Sequence, residues 1–369
     1  MLWALVALFL VGVASVVVGG GGGPDVALLM VSFLFLMGIS QAGVVFCAMT
    51  RLVRAQWSKP YHRLAELSTL AFSPFAIVGF LLLYFYAQDD LFYWLDPAPE
   101  EHLSPWLNIN WLLIRNLFGL GVFYGLSAYY VLKGLKPDLA GAGGEPVDHR
   151  RVEDQLYLLS PFVLAAYVVC NTFISWDFGM MLIPHWHSTV FPILFWFGNL
   201  FAGTAALIVF PALLGRRPDS HFGPDEVRSL GMVITGFTLM WLYFFWAQFF
   251  VMWFGNLPRE TDALFRQMYG HYGPYFWTMM AGCFFVPFAA FIFAFVKRSI
   301  LAMSIIAVGI NLGIWLYKYL MVIPVFSPDD RPFSSWPDIA AAVGLTAGFL
   351  AAVIWLANRL PRYSNWELA

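Results

Sequence analysis

The residues best suited to take part in chemistry lie in one short polar segment, 171–189, between two apolar stretches. This segment contains Asp177, His185 and His187. A carboxylate and a histidine at a membrane surface can accept the two protons that are released when a quinol is oxidised. The two histidines are two positions apart, so on a helix they point to different faces, and no third ligand stands at metal-binding spacing. The sequence therefore predicts a quinol-binding site formed by Asp177, His185 and His187, and no metal site.

A second interpretation of the same segment is structural. Trp176 and Trp186 are typical of a membrane interface, where an indole ring has one wet and one apolar edge. The segment then anchors the protein in lipid or against another subunit. The residues alone leave both interpretations open.

A polar stripe occupies the predicted third apolar stretch. His62, Glu66, Thr69 and Ser73 recur at intervals of about one helical turn, which places all four on one face of a helix. A buried carboxylate flanked by a histidine and hydroxyl groups can pass protons through short hydrogen-bonded steps. The alternative is that Glu66 only caps the start of the helix.

The predicted ninth stretch carries a similar stripe of Ser304, Asn311, Trp315 and Lys318. A lysine deep inside the membrane needs a carboxylate, carbonyl or water partner, whereas one near the surface extends its amine to the interface. Both positions of Lys318 are compatible with the sequence. We include Asn311 and Lys318 among the candidate residues of a proton path.

One cation, Arg115, falls within the predicted fourth stretch, beside Asn116. Ionisable residues in membrane spans are costly and are functional candidates for that reason. Asp177 is the opposite charge expected at the same depth. The sequence therefore predicts a charge pair between Arg115 and Asp177 near the outer surface.

The composition identifies the kind of protein that must position these residues. Of its 369 residues, 60% are hydrophobic and 11% are charged, against about 25% charged in soluble domains. Stretches of at least about 18 apolar residues can cross the hydrocarbon core as helices. We predict an all-α polytopic membrane protein with about ten such helices: roughly 2–19, 25–50, 64–87, 107–133, 155–175, 188–214, 228–254, 273–296, 299–323 and 338–359.

The basic residues give an orientation, because lysine and arginine accumulate in cytoplasmic loops. With the N-terminus inside, the inner segments hold 15 of the 20 lysines and arginines, and the outer loops hold only Arg259, Arg266 and Arg331. An odd number of spans would disrupt this asymmetry. We therefore expect both termini to be cytoplasmic.

Other classes of function are disfavoured. No basic patch is large enough for nucleic acid. The cysteines, Cys47, Cys170 and Cys283, all fall within predicted spans and form no haem-attachment or cluster-ligand motif. The first helix lacks a basic leading segment and a small-residue cleavage site, so we expect it to be retained.

Two motifs carry a family resemblance. Residues 177–189 read D-F-G-M-M-L-I-P-H-W-H-S-T, and residues 246–261 read W-A-Q-F-F-V-M-W-F-G-N-L-P-R-E-T. Together with the ten-span pattern, they resemble the smaller NrfD-like membrane subunit of bacterial alternative complex III, which belongs to the polysulphide reductase NrfD family. The likeness covers nearly the whole chain.

The resemblance implies a single membrane domain with two four-helix bundles. Helices 2–5 (about 25–175) would form the first bundle and helices 6–9 (about 188–323) the second, with helices 1 and 10 peripheral. It also implies the bacterial cytoplasmic membrane, a larger NrfD-like sister subunit and extracytoplasmic partners carrying haem c and iron–sulphur clusters. A terminal cytochrome c oxidase, lipids, and menaquinol or ubiquinol are further expected partners.

Three functions follow as hypotheses. The first is a cofactor-free membrane subunit of a quinol:electron-acceptor oxidoreductase complex, such as a quinol:cytochrome c oxidoreductase, which supports assembly and conducts protons. In the second, this subunit itself binds and oxidises quinol through Asp177 and His185. The third is a proton-coupled secondary transporter, although Pro74, Pro192 and Pro287 form no paired helix break of the kind that transporters often have.

Overall fold

The computed structural model describes residues 1–18, 23–96, 104–142, 147–184, 186–214, 222–326 and 336–368. Within these ranges the chain forms helices and turns without any β-strand. The α-helices are α1 (Leu2–Val18), α2 (Gly23–Leu52), α3 (Lys59–Leu91), α4 (Ile109–Ala142), α5 (His149–Asp177), α6 (Phe191–Leu214), α7 (Pro224–Phe254), α8 (Pro258–Met268), α9 (Gly273–Met280), α10 (Val286–Phe291), α11 (Ala294–Arg298), α12 (Ile300–Phe326), α13 (Trp336–Arg359) and α14 (Asn365–Leu368).

The predicted all-helical, polytopic membrane fold is confirmed. In the described part of the chain, nine helical segments are long and apolar enough to cross a membrane. The expected tenth is α1, which has only 17 residues. At 1.5 Å per residue this helix is about 25 Å long, which is less than the roughly 30 Å hydrocarbon core.

Helix α2 is the centre of the fold. It packs against α3, α5, α6 and α12, and 89% of its apolar window is buried inside the protein. A helix that is surrounded in this way must be apolar on every face, which explains why it reads as one continuous hydrophobic run. Through α2, the helices of the predicted first bundle contact α6 and α12 of the predicted second bundle.

A glycine permits the tightest contact of α2. A Cβ atom at Gly43 would overlap the carbonyl oxygen of Ala65 and would lie 2.5 Å from the hydroxyl oxygen of Ser68. The missing side chain therefore lets α2 and α3 approach closely. At this crossing the hydroxyl of Thr69 on α3 donates to the carbonyl oxygen of Ser40 on α2 at 2.5 Å, and it accepts from the backbone N–H of Val44 at 3.0 Å.

The eighth span differs from its prediction. Instead of one helix over 273–296, the chain forms α9, a π-helical segment at Ala281–Phe285, and α10, which ends at Phe291. Pro287 has no N–H to donate, and a widened turn before a proline accommodates this loss. A Cβ atom at Gly282 would lie 2.7 Å from the carbonyl oxygen of Gly309, so this widened turn also packs closely on α12.

The first and last long helices pack on each other. Gly12 of α1 faces Gly344 of α13, where an added Cβ atom would lie 2.5 Å from the Cα atom of Gly12. Helix α13 also contacts α2 and α3. After α13 the chain turns back, and the short helix α14 contacts α3 and α4.

Candidate functional site

The buried charged and polar side chains of α2–α6 form three groups. We name them the Glu367 cluster, the central polar group and the Asp177 cluster. The Glu367 cluster consists of Arg51, His62, Arg63, Glu66, Asp138, Glu153 and Glu367. It lies where α2 ends and α3 begins.

Glu367 joins two helices within this cluster. One carboxylate oxygen accepts from Arg51 at 2.8 Å, and the other lies 2.7 Å from Nδ1 of His62. Arg51 also donates to the hydroxyl of Tyr130 at 2.9 Å and pairs with Glu153. Because the side chain of Glu367 is only 3% exposed, this carboxylate depends on its cationic partners for its stability.

The environment of Glu367 fixes its charge. Burial alone would raise the pKa of this carboxyl, but His62 and Arg51 act in the opposite direction and lower the pKa to about 2. Glu367 is therefore ionised at neutral pH. It stabilises the positive charge of Arg51 at the end of α2.

The second half of the cluster is centred on Arg63. Its guanidinium donates to Glu66 at 2.6 Å, to Asp138 at 2.7 Å and to the carbonyl oxygen of Gly134 at 2.9 Å. Glu66 is 1% exposed, and its Oε1 atom has no hydrogen-bond partner among the described residues. The predicted candidate Glu66 is therefore a buried carboxylate with one oxygen paired and one oxygen free.

The predicted stripe on α3 is present, but the side chains of its members do not hydrogen bond to one another. His62 Nε2 lies 3.0 Å from the hydroxyls of both Thr50 and Ser58. Thr69 bonds across to α2, as described above, and the hydroxyl of Ser73 donates to the carbonyl oxygen of Thr69 at 3.0 Å. Any proton transfer along this face therefore requires water or side-chain movement between Glu66 and Thr69.

The central polar group consists of Ser40, Gln41, Tyr124, Asn171 and Asn199, all of them at most 3% exposed. The hydroxyls of Ser40 and Tyr124 are 2.7 Å apart. Asn171 donates to Gln41 at 2.6 Å and accepts from Asn199 at 2.8 Å. This group therefore links α2, α4, α5 and α6 in the interior of the protein.

The Asp177 cluster confirms the predicted charge pair. Arg115 donates to the two carboxylate oxygens of Asp177 at 2.7 Å and 2.5 Å. Asn116 donates to Asp177 at 2.5 Å, and the indole N–H of Trp106 also donates to Asp177, at 3.1 Å. The guanidinium of Arg115 lies 4.2 Å from the centroid of the Trp106 ring. Four hydrogen bonds are thus donated to this carboxylate, and two of them come from the bidentate guanidinium of Arg115.

The other residues of the predicted quinol site are not close partners of Asp177. The side chain of His187 is 75% exposed, and its Nδ1 lies 3.8 Å from Glu260. His185 lies outside the described residues. A cavity of about 640 Å³ is present nearby between α3, α8, α12 and the turn at residues 182–184, but neither Asp177 nor His187 lines it.

Lys318 does not extend to the membrane surface. It is fully buried, and its Nζ lies 3.3 Å from the centroid of the Phe195 ring. This amine has no hydrogen-bond partner in the part of the chain that the structure describes. Asn311, two turns earlier on α12, donates to the carbonyl oxygen of Ala307 at 2.8 Å, so the predicted stripe does not continue as a hydrogen-bonded chain.

Sequence reasoning missed Glu367, Gln41 and Asn199. Glu367 lies in an ordinary polar tail, 305 positions from His62, and no local pattern signals its burial. Gln41 and Asn199 are single amides in apolar runs. Polar residues in membrane spans are unusual enough to be treated as candidates, and that signal could have identified these two.

The described residues include no group of three or more histidine, cysteine, aspartate or glutamate side chains arranged to hold a metal ion. What they do define is a class: a multi-pass helical membrane protein with buried ion pairs and an interior polar network. The model of the polysulphide reductase NrfD family matches residues 27–327. The chain belongs to this family, and it is an NrfD-type membrane subunit. A search of curated proteins gives no match.

Proposed function

We propose that this chain is the smaller NrfD-type membrane subunit of a quinol-oxidising respiratory complex of the alternative complex III type. In this proposal it supports assembly and conducts protons through its first bundle. The observation that carries the proposal is the succession of three buried polar groups along α2–α6. Burying polar groups in a membrane span is expensive, and simple packing of helices does not require so many of them.

The three groups differ in the chemistry that they support. Glu66 has a free carboxylate oxygen, and the hydroxyl pair of Ser40 and Tyr124 can both donate and accept. Asp177 is fully engaged by Arg115, Asn116 and Trp106. The arrangement therefore favours a proton route from the Glu367 cluster to the central group, with water or side-chain movement bridging Glu66 and Thr69, and with the Asp177 cluster closing its far end.

We further propose that the Glu367 cluster faces the cytoplasm, in the bacterial inner membrane, and that both termini lie on that side. The excess of lysine and arginine near this end of the helices supports this orientation. The partners would be the larger NrfD-like subunit and extracytoplasmic subunits with haem c and iron–sulphur clusters. Those subunits would supply the redox chemistry, with quinol as the electron donor and this chain holding no cofactor.

The test of this function is Glu66→Gln in the intact complex. Glutamine keeps the shape of the side chain but cannot carry a proton, so quinol oxidation should continue while proton uptake per electron falls. Both are measured on the complex in sealed vesicles, with Asp154→Asn on the exposed surface of α5 as the matched control. Unchanged proton coupling in Glu66→Gln would assign Glu66 a purely structural role.

The partners are tested by purification. The chain should purify in mild detergent together with subunits that contain haem c, visible by their absorbance. If it purifies alone and transports a solute into vesicles, the proposal of a respiratory subunit fails.

One observation favours a second candidate, in which this subunit binds quinol itself. The 640 Å³ cavity has apolar walls from Leu320, Met321 and Pro324 and polar groups from Asp262 and Gln267, a combination that suits an amphipathic ring. Met321→Trp would place a larger side chain in this cavity and narrow it. Loss of labelling by a photoreactive quinone in this variant would support the second candidate, and unchanged labelling would exclude this cavity.

A further inference from the structure

The last helix of the chain closes one end of the polar interior. Helix α14 has only four residues, yet three hydrogen bonds from its side chains enter the Glu367 cluster. Glu367 bonds Arg51 and His62, and the indole N–H of Trp366 donates to the carbonyl oxygen of Gly134 at 2.9 Å. The backbone N–H of Trp366 adds a contact to Asp138 at 3.3 Å.

An open cavity lies on the other side of this helix. It has a volume of about 500 Å³, and its lining residues are Gln56, Lys59, Pro60, Gly223, Glu226, Glu367 and Leu368. Glu367 therefore stands between this cavity and His62. On the inner side of α14, His62 is 3% exposed and Glu66 is 1% exposed.

We propose that α14 is a latch that covers the entrance to His62 and Glu66, with Glu367 as its anchor. A four-residue helix has no stability of its own, because helix nucleation is unfavourable. Its position depends on the few contacts named above. It can therefore detach without disturbing the long helices, and its detachment joins the cavity to the buried carboxylate of Glu66.

The anchor is specific to Glu367. Arg51 has a second carboxylate partner in Glu153, whose side chain is 46% exposed, so Arg51 stays paired when α14 leaves. His62 keeps its bonds to Thr50 and Ser58. Arg51 and His62 thus each keep hydrogen-bond partners after α14 leaves, which favours a reversible latch.

The covering of Glu66 is a structural proposal. Its meaning as the gate of a proton entrance rests on the function proposed above. The two are tested separately, because chemical access to Glu66 can be measured without any proton transport.

The experiment measures that access in the intact complex in lipid nanodiscs, where both faces meet water. A water-soluble carbodiimide adds to a protonated carboxyl group to form an O-acylisourea. Glycinamide then displaces the urea and forms an amide. Peptide mass spectrometry quantifies the amides at Glu66 and at the half-exposed Glu153. Both are expressed relative to the amide at the exposed Asp262, which lies outside the Glu367 cluster and reports the general reactivity of each sample.

In the unaltered chain, Glu66 should react far more slowly than Glu153. Deletion of residues 365–369 and the substitution Glu367→Gln should each raise the relative labelling of Glu66 by at least about tenfold, because modification of a buried group follows the population of the open state. Glu226→Gln is the matched control. It alters a carboxylate of the same cavity that does not anchor α14, and it should leave the labelling unchanged.

Glu367→Gln preserves the shape of the side chain, so it tests the latch independently of any misfolding of the truncated chain. Unchanged labelling of Glu66 in both variants overturns the latch. Increased labelling in the deletion alone overturns the role of Glu367 as the anchor. Increased labelling in both variants, combined with normal proton coupling in Glu66→Gln, leaves the latch in place and refutes the proton route.

Discussion

At the residue scale, the buried charges of this protein fall into compensated and uncompensated kinds. Asp177 and Arg115 neutralise each other and are further hydrogen bonded by Trp106 and Asn116. Lys318 is just as deeply buried, but its amine lies over the face of Phe195 and has no hydrogen-bond partner among the residues that the structure describes. Because removing one partner of a buried pair leaves the other charge exposed to an apolar interior, substitutions at these two places should have opposite effects.

Asp177→Asn should destabilise the protein by roughly 3–5 kcal/mol, because Arg115 is left as an uncompensated buried charge. The measurement is the thermal unfolding of the purified subunit or complex. Asp262→Asn is the control, since its pair with Arg266 is 58% exposed on both side chains and should change stability by about 0–1 kcal/mol. Equal effects of the two substitutions would contradict the buried pair.

Lys318→Met should leave the thermal stability unchanged or increase it. Methionine fills a similar volume, and the substitution removes the buried amine and the cost of burying it. Phe195→Leu should lower stability in the unaltered chain, because it removes the aromatic face beneath the amine, and should do so less in the Lys318→Met background. A clear loss of stability in Lys318→Met would indicate a partner for the amine in the membrane.

At the element scale, close helix approach depends on particular glycines. Gly43 lies against α3, whereas no atom lies within 4 Å of a Cβ placed at Gly125. Gly43→Ala should therefore lower thermal stability by roughly 1–3 kcal/mol through overpacking. Gly125→Ala is the control and should have no such cost. A Gly43→Ala protein as stable as the control would mean that α2 and α3 are less tightly packed than the structure indicates.

The docking of α14 should depend on pH. The pKa of Glu367 is lowered in the folded protein from its ordinary value of 4.5 to about 2, so its ionised form stabilises the docked helix. This contribution is complete above about pH 4.5 and is lost as the pH falls from 4.5 towards 2. The hydrogen-exchange protection factors of residues 364–368, which are corrected for the intrinsic pH dependence of amide exchange, should decrease over this range in the unaltered chain.

Glu367→Gln provides the comparison for that measurement. Its protection factors at residues 364–368 should be low at neutral pH and should lack the acid-dependent decrease that is specific to the carboxylate. An identical pH dependence in the two proteins would assign the acid effect to another group of the cluster.

At the scale of the whole molecule, the polar groups are distributed unevenly. The Glu367 cluster, the central polar group and the Asp177 cluster all include residues of α4 and α5, whereas the buried Lys318 lies apart from them on α12. From Asn171 to Asp177 the distance along α5 is about 9 Å. The central group and the Asp177 cluster are therefore separate, and transfer between them would require bound water or movement.

The amino-acid sequence by itself determined the class of this protein. Long apolar runs can be satisfied in lipid only as helices, because every backbone polar group needs a partner there. The stripe of His62 and Glu66 and the pair of Arg115 and Asp177 were also predictable, because helical periodicity and depth in the membrane follow directly from position in the chain. The role of these residues in proton transfer remains a prediction.

Tertiary structure alone decided which distant residues meet. Glu367 joins His62 across 305 positions, Asn199 joins Asn171 across two helices, and Lys318 is covered by Phe195 instead of reaching the surface. These contacts depend on how α2, α6 and α12 pack and on where the chain turns back after α13. Helix packing is fixed by the sum of many weak, nondirectional contacts over the whole bundle, so no local pattern in the sequence specifies it.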